Sequence, residues 1–124
     1  MNKEIFSIHA VKDAPVTRSD TFFFTSAGRR LRISLSRITH ISVEMDTAFI
    51  YTKGNKYPTP YQLIDIYNSL PPHLFYRVHP LHVVALGHVH GMDGKEVMVG
   101  NYRLFTTRFY RGALINILEK RNKH

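Results

Sequence analysis

Several features that would identify particular classes of protein are missing from this sequence of 124 residues. It contains no cysteine, so neither a disulfide framework nor a thiolate metal site can form, and nothing indicates an oxidising compartment. No apolar run approaches the length of about 20 residues that a membrane-spanning helix needs. The first ten residues include Lys3, Glu4 and His9, unlike a signal peptide. We therefore expect a cytoplasmic protein that does not insert into a membrane.

The common catalytic motifs are also missing. There is no Gly-x-Ser-x-Gly turn, no glycine-rich phosphate loop and no His-Glu-x-x-His pair. Among the nine acidic residues, only Glu44 and Asp46 stand close together, and they fall in a predicted loop, where solvated acids are common. Because the chain has no cysteine nucleophile either, we expect no enzymatic activity and no bound cofactor.

The composition is that of a folded domain with an excess of positive charge. Hydrophobic residues make up 44% of the chain and charged residues 21%, which favours a globular structure over disorder. The net charge is +8, and residues 103–124 carry six lysines or arginines against one glutamate. Such a basic pole attracts polyanions, and nucleic acid is the usual polyanionic partner of a small basic protein. Solubility alone is the simpler alternative.

Short β-rich segments and turn residues predict a mostly β domain of several short antiparallel strands. We expect strands at residues 21–25, 31–35, 38–43, 48–52, 75–78, 82–86, 89–92, 96–99 and 103–105. Arg30 and Arg32 alternate with apolar residues, so an ordinary solvated strand face is preferred there over a nucleic-acid contact. Residues 1–20 are either a loosely held N-terminal arm or an added edge strand, ahead of a domain at residues 21–121.

Two helices are expected. A short middle helix should begin at Thr59-Pro60, with Thr59 as its cap, and present the apolar residues Leu63, Ile64, Tyr67 and Leu70. The C-terminal helix should be capped by Thr106 or Thr107 and present one stripe of residues, namely Tyr110, Ala113, Leu114, Ile117, Leu118 and Arg121. Arg108 falls at the start of this helix, where free amides and the helix dipole favour a phosphate.

One order of motifs resembles the LytTR family of bacterial DNA-binding domains over about residues 22–118. It consists of Phe75-Tyr76-Arg77-Val78-His79, Val83-Val84, the hairpin at Asp93-Gly94, and Thr107-Arg108-x-Tyr110 opening the last helix. The resemblance implies a mostly β fold with one short middle helix and a C-terminal helix. It also implies a transcriptional regulator that binds duplex DNA sequence-specifically, through loops placed in successive major grooves rather than through a recognition helix.

In this family the domain is usually the output half of a response regulator and binds direct-repeat promoter sites, which would allow a homodimer on DNA. Because only about 20 residues precede the domain, we expect either a stand-alone regulator or a fragment of a longer protein. The resemblance implies three DNA-facing segments, at residues 44–48, 79–82 and 107–111. The candidate DNA-binding residues in them are Asp46, Thr47, His79, Pro80, His82, Thr107, Arg108 and Arg111. The arginines suit phosphate or guanine, and the histidines can donate hydrogen bonds to phosphate or base edges.

This chain departs from the family pattern at the middle segment. Pro80 and Leu81 stand where arginine or asparagine and then serine are usual, and Ala85 stands where asparagine is frequent. Proline has no side-chain donor, so a base contact made from that position is lost or passes to His82. We expect a changed sequence preference at retained affinity, because phosphate contacts dominate affinity and base contacts dominate specificity. The alternative is a LytTR-like module that has lost base readout and acts as a protein-interaction domain.

Four histidines crowd one region of the sequence, at His79, His82, His88 and His90. Imidazoles at such spacing could bind a divalent metal, and His88 and His90 would share one face of an extended chain. No acidic or sulfur ligand lies nearby, and the run crosses a bend and a glycine. We therefore expect no metal site, and a histidine-rich metal sensor is the least favoured function.

Overall fold

In the computed structural model, which describes residues 13–121, eleven short strands form three antiparallel sheets. The N-terminal sheet has the order β1-β2-β3 and consists of β1 (Val16–Arg18), β2 (Thr21–Ser26) and β3 (Arg29–Ser34). Arg30 and Arg32 lie on its exposed face, as the alternation predicted. Of the predicted arm or edge strand, residues 1–12 lie outside the described part of the chain. Val16–Arg18 pair with β2 at the edge of the sheet, and the domain boundary at residue 20 stays a prediction.

The central sheet has five strands in the order β6-β5-β4-β8-β7. They are β4 (Ile38–Glu44), β5 (Thr47–Thr52), β6 (Lys56–Thr59), β7 (Phe75–His79) and β8 (His82–Ala85), and a 3₁₀ helix, η1 (Leu35–Arg37), leads into β4. Strands β4 and β8 are far apart in sequence and pair through Ile41 and Val83. This pairing positions the β4–β5 loop (residues 44–48) beside the β7–β8 corner (residues 79–82).

One face of the central sheet packs against the N-terminal sheet and the middle helix α1 (Leu63–Ser69). The buried side chains in this first core include Phe22, Phe24, Ile38, Ile41, Ile50, Leu63, Ile66 and Leu70. The prediction that Thr59 caps α1 is wrong. Thr59 ends β6, where its hydroxyl donates to the Ala48 carbonyl at 2.9 Å, and Gln62 precedes the helix. Ile64 is exposed, because the helix turns the face of Leu63, Ile66 and Leu70 inward.

A second core lies on the other face of the central sheet, at its β7–β8 side. A 3₁₀ helix, η2 (Leu86–His88), leads into the meander β9 (Val89–Asp93), β10 (Glu96–Val99) and β11 (Tyr102–Phe105), and the chain continues into α2 (Arg108–Arg121). Leu114 of α2 is buried among valines of β7, β8 and β10. The predicted stripe on α2 is narrower than expected, because Ala113 and Arg121 are exposed.

The predicted mostly β architecture, with a short middle helix and a closing helix, is confirmed. The two predicted glycine turns lie where expected, and Gly94 and Gly100 have φ values of 63° and 54°. Neither of the helices in the described residues has the combination of length and apolar character that crossing a membrane requires.

Candidate nucleic-acid interface

The three segments predicted to face DNA are joined by main-chain hydrogen bonds at one end of the central sheet. The Val43 amide, just before the β4–β5 loop, donates to the Leu81 carbonyl at 2.9 Å. The Thr107 amide, just before α2, donates to the Val78 carbonyl at 3.0 Å. The β7–β8 corner therefore lies between the β4–β5 loop and the start of α2, and the fold brings all three predicted segments together.

The β4–β5 loop is a tight two-residue turn. Glu44 pairs with Thr47, and the two residues between them, Met45 and Asp46, have φ values of 50° and 67°. Two-residue hairpin turns favour positive φ, and aspartate tolerates it better than methionine does. The tip therefore presents Met45 and Asp46 to solvent, with Thr47 half-buried beside them. The sequence predicts Asp46 and Thr47 as interface residues but not Met45, although a loop this short must expose both of its central residues.

The carboxylate at the base of this loop is neutralised within the protein. Lys56 Nζ lies 2.7 Å from Glu44 Oε1, and the Tyr51 hydroxyl also donates to Glu44. The hydrogen bond from Lys56, followed by that from Tyr51, lowers the pKa of the Glu44 carboxyl. Lys56 Nζ also lies 4.4 Å from the centre of the Phe49 ring. These contacts offset a negative charge that would otherwise repel a polyanion approaching the loop.

The β7–β8 corner is held by side chains that bond its own backbone. Arg77 Nη2 donates to the Pro80 carbonyl at 2.7 Å, and the Leu81 amide donates to His79 Nδ1 at 3.0 Å. Arg77 Nε is buried with no hydrogen-bond partner in the described chain, so the placement of the guanidinium depends on the Pro80 contact. Pro80 and Leu81 are both exposed. The corner is thus a projection whose backbone is hydrogen-bonded by its own side chains and whose tip is largely apolar.

His82 lies behind the corner rather than at its tip. Its Nδ1 is 2.8 Å from Ser42 Oγ, and its ring centre is 4.8 Å from that of His79. Burial, followed by the neighbouring His79, lowers the pKa of His82 to about 4, so the ring is neutral at pH 7. A neutral imidazole has one donor and one acceptor nitrogen. His82 is therefore better placed to support the corner than to meet a phosphate as a cation.

The two arginines at the start of α2 have different surroundings. Arg111 Nε donates to Thr106 Oγ1 at 2.9 Å, and Arg111 Nη2 donates to the Thr106 carbonyl at 3.1 Å. Arg108 is exposed, and its side chain has no hydrogen-bond or salt-bridge partner among residues 13–121. Arg108 is therefore the cation available to a ligand, whereas Arg111 is engaged within the protein.

Thr107 is the residue that precedes α2. Its carbonyl accepts the amides of Tyr110 and Arg111 at 3.1 and 2.9 Å. Thr106, the other residue predicted as a possible cap of α2, does not have that role. Its hydroxyl instead donates to the Lys95 carbonyl at 2.8 Å. This bond ties the start of α2 to the β9–β10 turn. It also orients the Thr106 oxygens that receive Arg111.

Phe109 was not singled out from the sequence, yet it is 84% exposed in the first turn of α2. Its ring meets that of Tyr110 edge-on, with centres 5.0 Å apart. Within the predicted basic pole, the positive charge of Arg103 on the meander is neutralised, because Arg103 forms salt bridges with Asp93 and Glu96. The start of α2 therefore combines one available cation, Arg108, with one exposed aromatic ring.

The four clustered histidines lie in different parts of the fold. His79 and His82 are at the corner, whereas His88 Nε2 donates to the Ser36 carbonyl at 2.6 Å and His90 Nε2 donates to the Gly100 carbonyl at 2.8 Å. His88 and His90 would share a face only on an extended backbone, and the backbone is not extended at His88, which ends the 3₁₀ helix η2. Within the described range, no three or more His, Cys, Asp or Glu side chains form a group suited to a metal ion. The expected lack of metal binding stays a prediction.

A cleft of about 480 Å³ lies at the opposite end of the central sheet, around Phe75 and Ala85. None of the residues predicted to bind DNA lines it. Asp46 and Thr47 instead line a smaller cleft of about 250 Å³, together with Thr59 and Tyr61. The β7–β8 corner and the start of α2 line neither of these two clefts and project from the sheet.

Residues 28–117 match the family model described as the LytTr DNA-binding domain. Among solved structures, a LytTr DNA-binding domain of a methyl-accepting/DNA response regulator from Bacillus cereus superposes with a TM-score of 0.68 at 13% sequence identity. The match covers 82% of this chain and 98% of that one, and at this identity it shows a shared fold alone. No curated protein sequence matches this chain.

Proposed function

Because this chain belongs to the LytTR family of DNA-binding domains, we propose that it binds duplex DNA sequence-specifically by placing three loops in major grooves. DNA binding and a part in transcription regulation follow from family membership. The finer statement is supported by one observation above all: main-chain bonds at Val43 and Thr107 gather the three predicted segments at one end of the central sheet.

Arg108 is the proposed phosphate contact. It is exposed and has no partner in the described chain, and it lies in the first turn of α2, where helix amides and the dipole favour an anion. Thr107 adjoins it and can add a hydroxyl contact. Arg111 supports this segment through Thr106. Phosphate contacts made here would supply affinity and register without sequence information.

The corner and the β4–β5 loop are the proposed sequence-reading elements. His79, Pro80 and His82 belong to the corner, and Asp46 and Thr47 belong to the loop. Direct-repeat promoter sites, a homodimer on DNA and a cytoplasmic location are parts of the same proposal. So are the expectations of no enzymatic activity, no cofactor, no metal and no membrane insertion.

The second candidate is a protein-interaction domain that has lost base readout. The exposed side chains of Met45, Leu81 and Phe109 favour it, since apolar groups on a protein surface often mark partner sites. DNA binding is the preferred function because the family is one of DNA-binding domains and because Arg108 adds an unpaired positive charge to the same surface.

The two candidates are separated by binding isotherms of the wild-type domain measured at 50 and 200 mM salt, on a selected duplex and on a random duplex. A regulator should show a steep salt dependence and a preference for the selected sequence. The interaction module should bind neither duplex at low salt. Absence of binding at 50 mM salt would therefore count against the DNA-binding proposal.

The role of Arg108 is tested in the same assay with Arg108→Ala. One phosphate contact contributes about 0.9 to the slope of log K against log salt, which corresponds to roughly a 3.5-fold change in K between 50 and 200 mM salt. Arg108→Ala should weaken binding to both duplexes about equally and make the slope shallower by that amount. Arg32→Ala is the matched control, because it removes the same charge from the exposed face of β3. Loss of sequence preference with unchanged binding to random DNA would contradict the phosphate role.

A further inference from the structure

Each of the three segments assigned to DNA carries one exposed large hydrophobic side chain. Met45 in the β4–β5 loop is 96% exposed, Leu81 at the corner 44% and Phe109 at the start of α2 84%. Met45 and Phe109 are the two most exposed large hydrophobic side chains of the described residues. A single exposed apolar residue is ordinary. Ile64, Tyr102, Phe105 and Ile115 are exposed elsewhere, but Met45, Leu81 and Phe109 lie on three segments that the fold joins at one end of the central sheet. A ligand that covers this surface would therefore have to offer apolar groups to them.

The backbone of the β7–β8 corner offers a ligand few free hydrogen-bonding groups. Pro80 has no amide hydrogen, and its carbonyl accepts from Arg77. The Leu81 amide donates to His79 Nδ1, and the Leu81 carbonyl accepts from the Val43 amide. Because these polar groups are already bonded within the protein, the tip of the corner presents mainly the apolar surfaces of Pro80 and Leu81.

The other two side chains are also held outward by local structure. Met45 occupies a turn position with a φ of 50°. Residues other than glycine, asparagine and aspartate rarely adopt this backbone conformation. It is placed there by the short connection between β4 and β5 rather than by any apolar contact. Phe109 follows Arg108 and rests edge-on against Tyr110. Its ring therefore projects beside the cation that is proposed to contact a phosphate.

The major groove of DNA displays one apolar group on its base edges, the 5-methyl group of thymine. We propose that Met45, Leu81 and Phe109 read sequence by contacting thymine methyl groups, so that the preferred site has thymine at each of three contact regions. This inference rests on the proposed function and names the base chemistry that it reads. Charge complementarity favours DNA as the ligand, because Arg108 is unpaired in the described chain and Glu44 is neutralised by Lys56.

The test compares two duplexes that differ only in methyl groups. The preferred site is first selected from random DNA with the wild-type protein, and then prepared with every thymine replaced by deoxyuridine. Each methyl group that the protein buries should be worth about fourfold in affinity, and three together roughly 50-fold. The wild-type protein should therefore bind the thymine duplex more tightly by about these factors.

Single variants assign the contacts. Met45→Ala, Leu81→Ala and Phe109→Ala should each reduce the thymine-to-uracil affinity ratio by about fourfold. Ile115→Ala is the matched control, because Ile115 is an exposed apolar residue of α2 outside the three segments, and it should leave the ratio unchanged. Circular dichroism checks the folding of every variant, and folding should be retained because the replaced side chains are exposed.

Four outcomes would overturn the inference. Equal affinity of the wild-type protein for the two duplexes would do so while leaving the proposed function intact, since DNA would still be bound. Variants that weaken binding to both duplexes equally, with an unchanged ratio, would assign the apolar side chains another role. Binding to phosphatidylglycerol vesicles that Phe109→Ala abolishes, with no change in the ratio, would assign them to a membrane surface. Absence of any sequence preference would overturn the proposed function as well.

Discussion

His40 should make this protein lose stability in mild acid. Its side chain is only 1% exposed and stacks on Tyr51, with ring centres 4.2 Å apart and planes inclined by 13°. Tyr102 packs on it as well, at 4.8 Å. Burial, and after it the neighbouring His82, lowers the pKa of His40 from 6.5 to about 4. The folded protein therefore holds this histidine neutral, whereas the unfolded chain protonates it near its ordinary pKa.

The sign and size of the effect follow from proton linkage. Since the folded-state pKa is the lower one, the stabilisation is present above pH 6.5 and is lost progressively as the pH falls toward about 4. The full difference is about 3 kcal/mol at 1.36 kcal/mol per pKa unit, and about 2 kcal/mol of it should be lost between pH 7 and pH 4.5. His82, whose pKa is lowered in the same direction, adds a loss of its own that solvent screening reduces because its side chain is partly exposed.

The variant that isolates this effect is His40→Phe. Phenylalanine keeps an aromatic ring between Tyr51 and Tyr102, and Thr39 keeps a partner because its hydroxyl donates to the Tyr51 carbonyl at 3.2 Å. Urea unfolding at pH 7 and pH 4.5 should show a loss for the wild-type protein that exceeds the loss for His40→Phe by about 2 kcal/mol. His73→Phe is the matched control, because His73 is exposed. Equal losses for the wild-type protein and His40→Phe would refute the reasoning.

Three further predictions concern the interface and the histidines. Pro80→Arg should strengthen DNA binding and shift the preferred sequence toward guanine at one position by about 1–3 kcal/mol; if the variant is folded by circular dichroism and neither property changes, the corner does not face DNA. Zinc titration of the untagged domain should show no stoichiometric site tighter than about micromolar; a tight one-to-one complex that His88→Ala and His90→Ala abolish would contradict this. Thr106→Val, which removes the bonds to Arg111 and to a carbonyl of the β9–β10 turn, should cost about 1–3 kcal/mol in urea unfolding; an unchanged midpoint would count against it.

The sequence by itself determined the class of the fold and the order of its elements. Alternation at Leu31 and Ile33, the glycine turns at Gly94 and Gly100, and the helical spacing of Leu114 and its neighbours are local patterns. Local patterns show which face of a strand or helix must be buried, so they can be recognised without knowing which element packs against that face. The motif around residues 75–79 indicated the LytTR family, and the model of that family matches residues 28–117 of the chain.

Only the tertiary structure decided which of these elements meet and what their side chains can do. The pairing of β4 with β8 joins positions about 40 residues apart, and no short-range pattern encodes it. The same pairing brings Ser42 to His82. Burial in the folded protein is the largest cause of the lowered pKa of both His40 and His82. Arg108 and Arg111 look alike in the sequence, yet contacts with Thr106 occupy only Arg111. Burial and hydrogen bonding depend on neighbours from distant segments, and the folded structure is where those neighbours meet.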